Sequence, residues 1–244
     1  MTAPLLEIEG VSKRFGGLSA LSDVTAQVAQ GEIVGLIGPN GAGKTTLFST
    51  LVGLYRPNAG SIRLNGKNLV GLKPHKVAAA GMVKTFQNIA LFLDSTVLDN
   101  VLIGGLMRHS VEDARELARR CLDRVGIGAI ADKFAHNLSF PERARVEVAR
   151  ALCTEPQILL LDEAMAALNP VEMDEFLTLL RDLRDEGLTL VVVEHHMRAI
   201  MSLCERIVVL NFGQLIATGT PQEISRNPAV VQAYLGRSAE TGAH

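Results

Sequence analysis

The run Gly38-Pro39-Asn40-Gly41-Ala42-Gly43-Lys44-Thr45 satisfies the pattern G-x-x-x-x-G-K-[ST] at every fixed position. Glycines at these places let successive backbone N–H groups turn inward and form a nest for an anion. The loop follows the apolar run Glu32–Ile37 and precedes a helical run, Thr46–Gly53, whose positive N-terminal end adds to the attraction. This is chemistry for the phosphates of ATP or GTP. Lys44 would reach the β- and γ-phosphates and the Thr45 hydroxyl would sit on Mg²⁺, with the rest of the loop and Thr46 around them. A second apolar run, Ile158–Leu161, ends in Asp162-Glu163. Two carboxylates then stand at the C-terminal edge of a buried strand, where ligands gather in open α/β sheets. Asp162 would hold Mg²⁺ through water, and Glu163 would polarise the water that attacks the γ-phosphate.

The elements that must position these groups are legible as hydrophobic periods. Val24–Val28 alternates, and Gly60–Gly66 reads as a short strand ending in an Asn-Gly turn. The runs Glu32–Ile37, Ile158–Leu161, Thr189–Val193 and Ile207–Leu210 are apolar enough for strands covered on both faces. Helical Val171–Glu186 separates the second of these runs from the third. Alternating strands and helices argue for a parallel α/β sheet. From about Thr96 to Leu152 the texture changes. Glu112–Val125 has apolar residues at 114, 117, 118, 121, 122 and 125, a helical period. Arg143–Leu152 continues in that vein, so a helical insertion into the sheet is expected.

Composition narrows the classes. The 244 residues are 48% apolar and 20% charged, in the range of folded globular chains and outside that of disordered ones. Lys plus Arg is 24 against 26 for Asp plus Glu, without the basic surplus of a nucleic-acid surface. The mean hydropathy of +0.22 is high, yet no apolar run reaches the roughly 18 residues of a membrane helix. The opening MTAPLLEIEG lacks the basic region of a secretory signal. Cys121, Cys153 and Cys204 are far apart and unlike any metal spacing, so buried thiols in a reducing, cytosolic compartment are expected. His195-His196 is not read as a metal site, because sequential neighbours on an extended backbone point to opposite faces.

Further residues fall in a fixed order around the two nucleotide motifs: Phe15, Gln87 in Thr85-Phe86-Gln87-Asn88, Leu138-Ser139, Ala166-Ala167-Leu168-Asn169, and His195 at the end of an apolar run. With them the chain resembles the nucleotide-binding subunits of ATP-binding-cassette (ABC) transporters, over about Leu5 to Gly236. The resemblance implies an α/β P-loop NTPase fold of the ABC-ATPase type: a mostly parallel core sheet, an antiparallel β subdomain and an inserted helical subdomain at about 96–152. It implies one nucleotide-binding domain over 1–236 and a short tail at 237–244. It implies that Phe15 stacks on adenine and that Gln87 links the γ-phosphate and Mg²⁺ to the membrane partner. Glu163 would then be the general base, His195 would touch the γ-phosphate, and Ser139 would grip the γ-phosphate held by an opposite subunit. ATP and Mg²⁺ are the implied ligands. The implied partners are membrane permease subunits, a second nucleotide-binding chain and a periplasmic substrate-binding protein, with this chain peripheral on the cytoplasmic face of the inner membrane. No Asn-Lys-x-Asp motif supports guanine recognition.

Within the family, Gly81–Phe92, Leu168-Asn169-Pro170 and the ending Ala233-Tyr234-Leu235-Gly236 resemble importers of branched-chain amino acids. Lipopolysaccharide-export ATPases share some of these features, including a similar ending, and remain the alternative, as does a non-transport ATPase of the same fold. Phe92, Leu98 and Ile103 are candidate apolar contacts to the membrane subunit.

The chain departs from the family pattern at its signature, Leu-Ser-Gly-Gly-Gln, which here reads Leu138-Ser139-Phe140-Pro141-Glu142. Pro141 stands at the second glycine and has no N–H to donate. It should also push Phe140 toward extended geometry, while remaining acceptable in the first turn of a helix. A heterodimer is favoured over a homodimer, because the defect then weakens only the partner's site. Ala164 where proline is usual and His196 where Asp is common remove no group assigned to chemistry.

Overall fold

The computed structural model describes residues 4–85 and 90–235. The chain begins with a hairpin of β1 (Leu6–Phe15) and β2 (Leu18–Val28), then runs through the apolar β3 (Ile33–Ile37) into the glycine-rich loop and α1 (Lys44–Leu51). β4 (Ala59–Leu64) and β5 (Lys67–Asn68) return to β1, giving an antiparallel sheet ordered β2-β1-β4-β5. Asn65 and Gly66 take φ of +49° and +71° in the turn between β4 and β5, as the Asn-Gly reading expects. α2 (Pro74–Ala79) leads to the short β6 (Met82–Lys84). Three helices follow, α3 (Val97–Gly105), α4 (Val111–Arg124) and α5 (Phe140–Leu152), packed on one another. The chain then alternates through β7 (Ile158–Asp162), α6 (Pro170–Asp185), β8 (Thr189–Val193), α7 (Met197–Leu203) and β9 (Arg206–Asn211). It closes with β10 (Gln214–Gly219), α8 (Pro221–Arg226) and α9 (Pro228–Leu235).

The second sheet is ordered β10-β9-β3-β8-β7-β6, parallel throughout except for the β9–β10 hairpin. Its central strands β3, β7 and β8 are buried at every position because both faces are covered, and apart from Thr189 and Asp162 at strand ends they carry no polar side chain. Alternate side chains enter different cores. Ile33, Ile37, Leu159, Leu161, Leu190 and Val192 pack with α3 to α7, whereas Val34, Leu36, Ile158, Leu160, Val191 and Val193 pack with α1 and the antiparallel sheet. The period of two thus ties the nucleotide loop to one face and the helical insertion to the other.

The helices differ from the sequence reading mainly at their starts. α1 opens at Lys44, two residues before the expected Thr46. Gly43 at φ +105° supplies the left-handed turn into it, and its carbonyl accepts the Leu47 N–H at 2.8 Å. α5 begins at Phe140 and not at Arg143. Ser139 caps it in a reciprocal box: Ser139 N–H donates to Glu142 Oε2 at 2.7 Å, and Glu142 N–H donates to Ser139 Oγ at 3.5 Å. Pro141 therefore sits in the first helical turn, where its missing N–H has no intrahelical partner to lose. Phe140 is helical, contrary to the extended geometry expected before a proline, because the cap box outweighs that bias. Leu98, expected at a partner-facing surface, is only 3% exposed and belongs to the core of the helical unit. Phe92, ahead of α3, and Ile103, on it, are exposed. Cys121, Cys153 and Cys204 are buried free thiols, as expected.

Candidate nucleotide site

The glycine-rich loop leaves the C-terminal end of β3 and crosses to α1 beneath β9. A Cβ at Gly38 would come to 2.1 Å of the Leu210 carbonyl oxygen, and one at Gly43 to 2.8 Å of the Ala20 carbonyl oxygen. Neither position accepts a side chain without moving backbone. The loop is therefore held open between the two sheets by the absence of side chains, and that leaves room for phosphate. Lys44 is 7% exposed, and its ammonium donates to Gly38 O at 2.7 Å and to Pro39 O at 3.3 Å. The cation is thus folded back over the nest that an anion would enter.

A cleft of about 640 Å³ opens over this loop. Asn40, Gly41, Ala42, Gly43, Lys44, Thr45 and Thr46 form its floor. Phe15, Leu18 and Phe212 form its apolar rim, and Glu163 and His195 form the opposite wall. Phe15 is 42% exposed and meets Tyr55 edge-on at 5.1 Å, with Lys13 Nζ 4.9 Å from its ring centroid. An aromatic ring braced on one edge and open on a face suits a nucleobase.

Glu163 and His195 are 32 residues apart in sequence and in contact in space: His195 Nε2–H donates to Glu163 Oε1 at 2.9 Å. The parallel register of β7 with β8, which pairs Asp162 with Val193, produces this contact. Glu163 continues the pairing by donating its N–H to Val193 O at 2.9 Å, and its backbone is left-handed at φ +56°. A non-glycine residue in that conformation carries strain, of the kind found where a side chain must be aimed. Asp162, the last residue of β7, is 1% exposed. Its Oδ2 pairs with Lys84 Nζ at 2.8 Å, and its Oδ1 has no hydrogen-bond partner among the described residues. A buried carboxylate with an open oxygen, next in the chain to the Glu163 that walls the cleft, is a donor that fits a hard divalent cation.

Of the residues singled out from sequence, Phe15, the loop from Asn40 to Thr46, Glu163 and His195 share this cleft, whereas Gly38 and Pro39 line a second cavity that also touches Asn40 and His195. Ser139 is exposed at the start of α5, outside the cleft. Gln87 lies outside the described residues. Sequence reasoning passed over Phe212, on the rim at φ +46° and 73% exposed, because a lone aromatic before a glycine has no pattern of its own. It also passed over Glu194. That side chain is 2% exposed, and its Oε1 accepts the Met165 N–H at 2.7 Å. Its Oε2 has no hydrogen-bond partner among the described residues. Burial pushes its carboxyl up to about 7, against the lowering effect of the Met165 and His195 backbone N–H groups. A carboxylate at the end of an otherwise apolar strand run was the available signal. Lys84, too, was given no role.

Comparison with known proteins adds an independent line. Residues 21–166 match the family model described as "ABC transporter", and residues 214–240 match that described as "Branched-chain amino acid ATP-binding cassette transporter". The chain is 42% identical to the high-affinity branched-chain amino acid transport ATP-binding protein BraF of Pseudomonas aeruginosa, over 98% of this chain and 100% of that one. It is 39% identical to the lipopolysaccharide export system ATP-binding protein LptB of Acidithiobacillus ferridurans, over 95% and 97% of the two chains. Among solved structures, an ATP-binding cassette of an ABC transporter in its ADP conformation superposes with a TM-score of 0.88 at 28% identity, covering 96% of this chain and 100% of that one. A dimeric cassette in a post-hydrolysis state, bound to ADP and Pi, gives 0.79 at 27% identity, covering 88% and 98%.

Proposed function

The chain belongs to the ABC transporter family, and from that premise we propose that it hydrolyses ATP to power an importer of branched-chain or other hydrophobic amino acids. The observation that carries the hydrolytic part is the Glu163–His195 hydrogen bond of 2.9 Å on the wall of the phosphate-loop cleft. The match at residues 214–240, with the 42% identity to a branched-chain amino acid transport protein, supports the substrate class.

In the mechanism, ATP enters with its base on Phe15 and its phosphates on the N–H groups of the loop. Lys44 leaves the Gly38 and Pro39 carbonyls for the β- and γ-phosphates, exchanging two neutral acceptors for anionic ones. Thr45 and Asp162, with Gln87, would hold Mg²⁺, which supplies neutralisation of phosphate charge. The γ-phosphate gives His195 Nε2–H a better acceptor than Glu163, so the imidazole turns to it and frees the carboxylate. Glu163 then takes a proton from a water whose oxygen bonds to the γ-phosphorus. The bond from that phosphorus to the bridging oxygen breaks, and ADP and phosphate leave.

As a subunit of this kind the chain works in a dimeric ATPase arrangement attached to membrane permease subunits. No described helix is long and apolar enough to cross a membrane. The exposed apolar residues Phe92, Leu93, Ile103, Leu106 and Met107 suit a docking surface for the permease. The second cassette chain is a different one with an intact signature, which faces Glu163 across the interface, and Ser139 is this chain's contribution to the opposite site. A substrate-binding protein delivers the amino acid, and the chain sits on the cytoplasmic face of the inner membrane.

The test is uptake of radiolabelled leucine by cells deleted for the chain and supplied with it or with Lys44→Ala. The expected result is uptake restored by the wild type only. Uptake indifferent to the deletion, with loss of the outer-membrane permeability barrier instead, would replace amino-acid import with lipid export.

A further inference from the structure

Asp162 has a counter-charge before any metal arrives. Lys84 Nζ lies 2.8 Å from its Oδ2, and the two side chains are 9% and 1% exposed. An ion pair this dry exists only because each charge neutralises the other, since either alone would be costly to bury. The lysine also lies against α1, the helix that begins in the phosphate loop: its Nζ is 5.9 Å from the centroid of Phe48, a ring with no exposure. Next along β6, Thr85 donates its N–H to Leu160 O at 2.9 Å, and its hydroxyl accepts the Asp162 N–H at 3.2 Å. With the Thr85 hydroxyl also donating to Leu160 O at 3.5 Å, the end of β6 is tied to the end of β7 by three hydrogen bonds indifferent to charge and one ion pair that depends on it.

We propose that Lys84 is a positioning residue that occupies Asp162 in the resting chain and is displaced from it by the incoming divalent cation, so that metal binding at β7 loosens the end of β6. This rests on the assignment of Asp162 to Mg²⁺ made above. With the ammonium on Oδ2, a dication taken up at the open Oδ1 would stand directly beside it in a dry site, and two cations repel at such range. Lysine suits the exchange because its charge is compact and rides on a flexible stem. The face of Phe48 offers the ammonium a place to go, since an aromatic face attracts a cation. Gln87, assigned to the same phosphate and metal, follows Lys84 by only three positions.

The exchange is read by binding, without turnover. A fluorescent ATP analogue is titrated with Mg²⁺ on the wild type, Lys84→Met and Lys84→Arg, and the half-saturating Mg²⁺ is recorded with the melting temperature of each protein free of nucleotide and metal. Lys84→Met keeps the stem and removes the competing charge. Its half-saturating Mg²⁺ falls by about fivefold or more, and its metal-free melting temperature drops because Asp162 is left buried alone. Lys84→Arg holds the carboxylate through a planar fork, so its half-saturating Mg²⁺ rises and its melting temperature is retained. Should Lys84→Met fail to fold, the rise in Lys84→Arg decides the matter. Half-saturation unchanged in Lys84→Arg, or higher in Lys84→Met, overturns the displacement. A wild type that binds the analogue with no dependence on Mg²⁺ removes the Asp162 assignment itself, a failure distinct from the first.

Discussion

Glu194 is the buried group whose titration should be felt by the whole fold. Its carboxyl is raised from an ordinary 4.5 to about 7, with burial as the main cause. Below pH 4.5 the folded and unfolded chains both hold the proton. Between 4.5 and 7 the folded chain holds more of it than the unfolded one, so stability falls as pH rises through that interval. Each unit of pH across it costs about 1.4 kcal/mol, and the whole interval costs on the order of 3 kcal/mol. Above pH 7 the loss is complete and the curve flattens. Glu194→Gln keeps the acceptor for the Met165 N–H and carries no titratable group, so it resembles the protonated state. Urea unfolding of both proteins at half-unit steps from pH 4.5 to 8.5 measures the effect. The expected outcome is similar stability near pH 4.5 and a gap that widens to on the order of 3 kcal/mol in favour of Gln by pH 8. Parallel curves, or a gap that opens in favour of Glu, would refute the claim that burial governs this carboxyl.

Two further outcomes follow from backbone geometry. Pro141→Gly returns an N–H to the start of α5, worth about ten- to a hundredfold at the partner's site through one charge-assisted hydrogen bond. Because only one of the two sites gains, phosphate release by the assembled transporter should rise about twofold, and an unchanged rate removes Pro141 as the limiting group. Gly43→Ala puts a Cβ 2.8 Å from Ala20 O at φ +105°. It should destabilise the fold by about 1–3 kcal/mol and weaken titrated ATP binding at least about tenfold, whereas wild-type affinity would show that the loop tolerates a side chain.

How much was legible in the residues follows the range of the interactions. The phosphate loop is a local device, since its glycines and Lys44 are contiguous and its flanking strand and helix are short-range patterns. Fully buried strands announce themselves by unbroken apolar runs, and β3, β7, β8 and β9 were found that way. The starts of α1 and α5 differ from the reading by two and three residues, and those of α4 and α6 by one, because the turn into a helix is set by local backbone geometry and caps. At Ser139 a reciprocal cap with Glu142 drew both Phe140 and Pro141 into the helix. Leu98 was misplaced because an apolar residue near an expected interface looks the same whether it faces a partner or its own core. Lys84 carried no signal, and Glu194 only the weak one of a carboxylate at the end of an apolar run. Their meaning depends on which strand ends lie side by side, a property of the sheet order β8-β7-β6 and of no spacing along the chain.

In the proposed mechanism hydrolysis turns on Glu163 as the base, freed by His195 and served by a partner chain's intact signature. The most direct measurement is phosphate release at saturating MgATP by the complete transporter carrying wild-type chain or Glu163→Gln. The opposite site is already weakened by Pro141, so the account predicts that the substitution removes most of the hydrolysis while ATP still binds, the chemical step at this site slowing by about 10²- to 10⁴-fold. Retention of more than half the wild-type rate, with ATP binding intact, would contradict it.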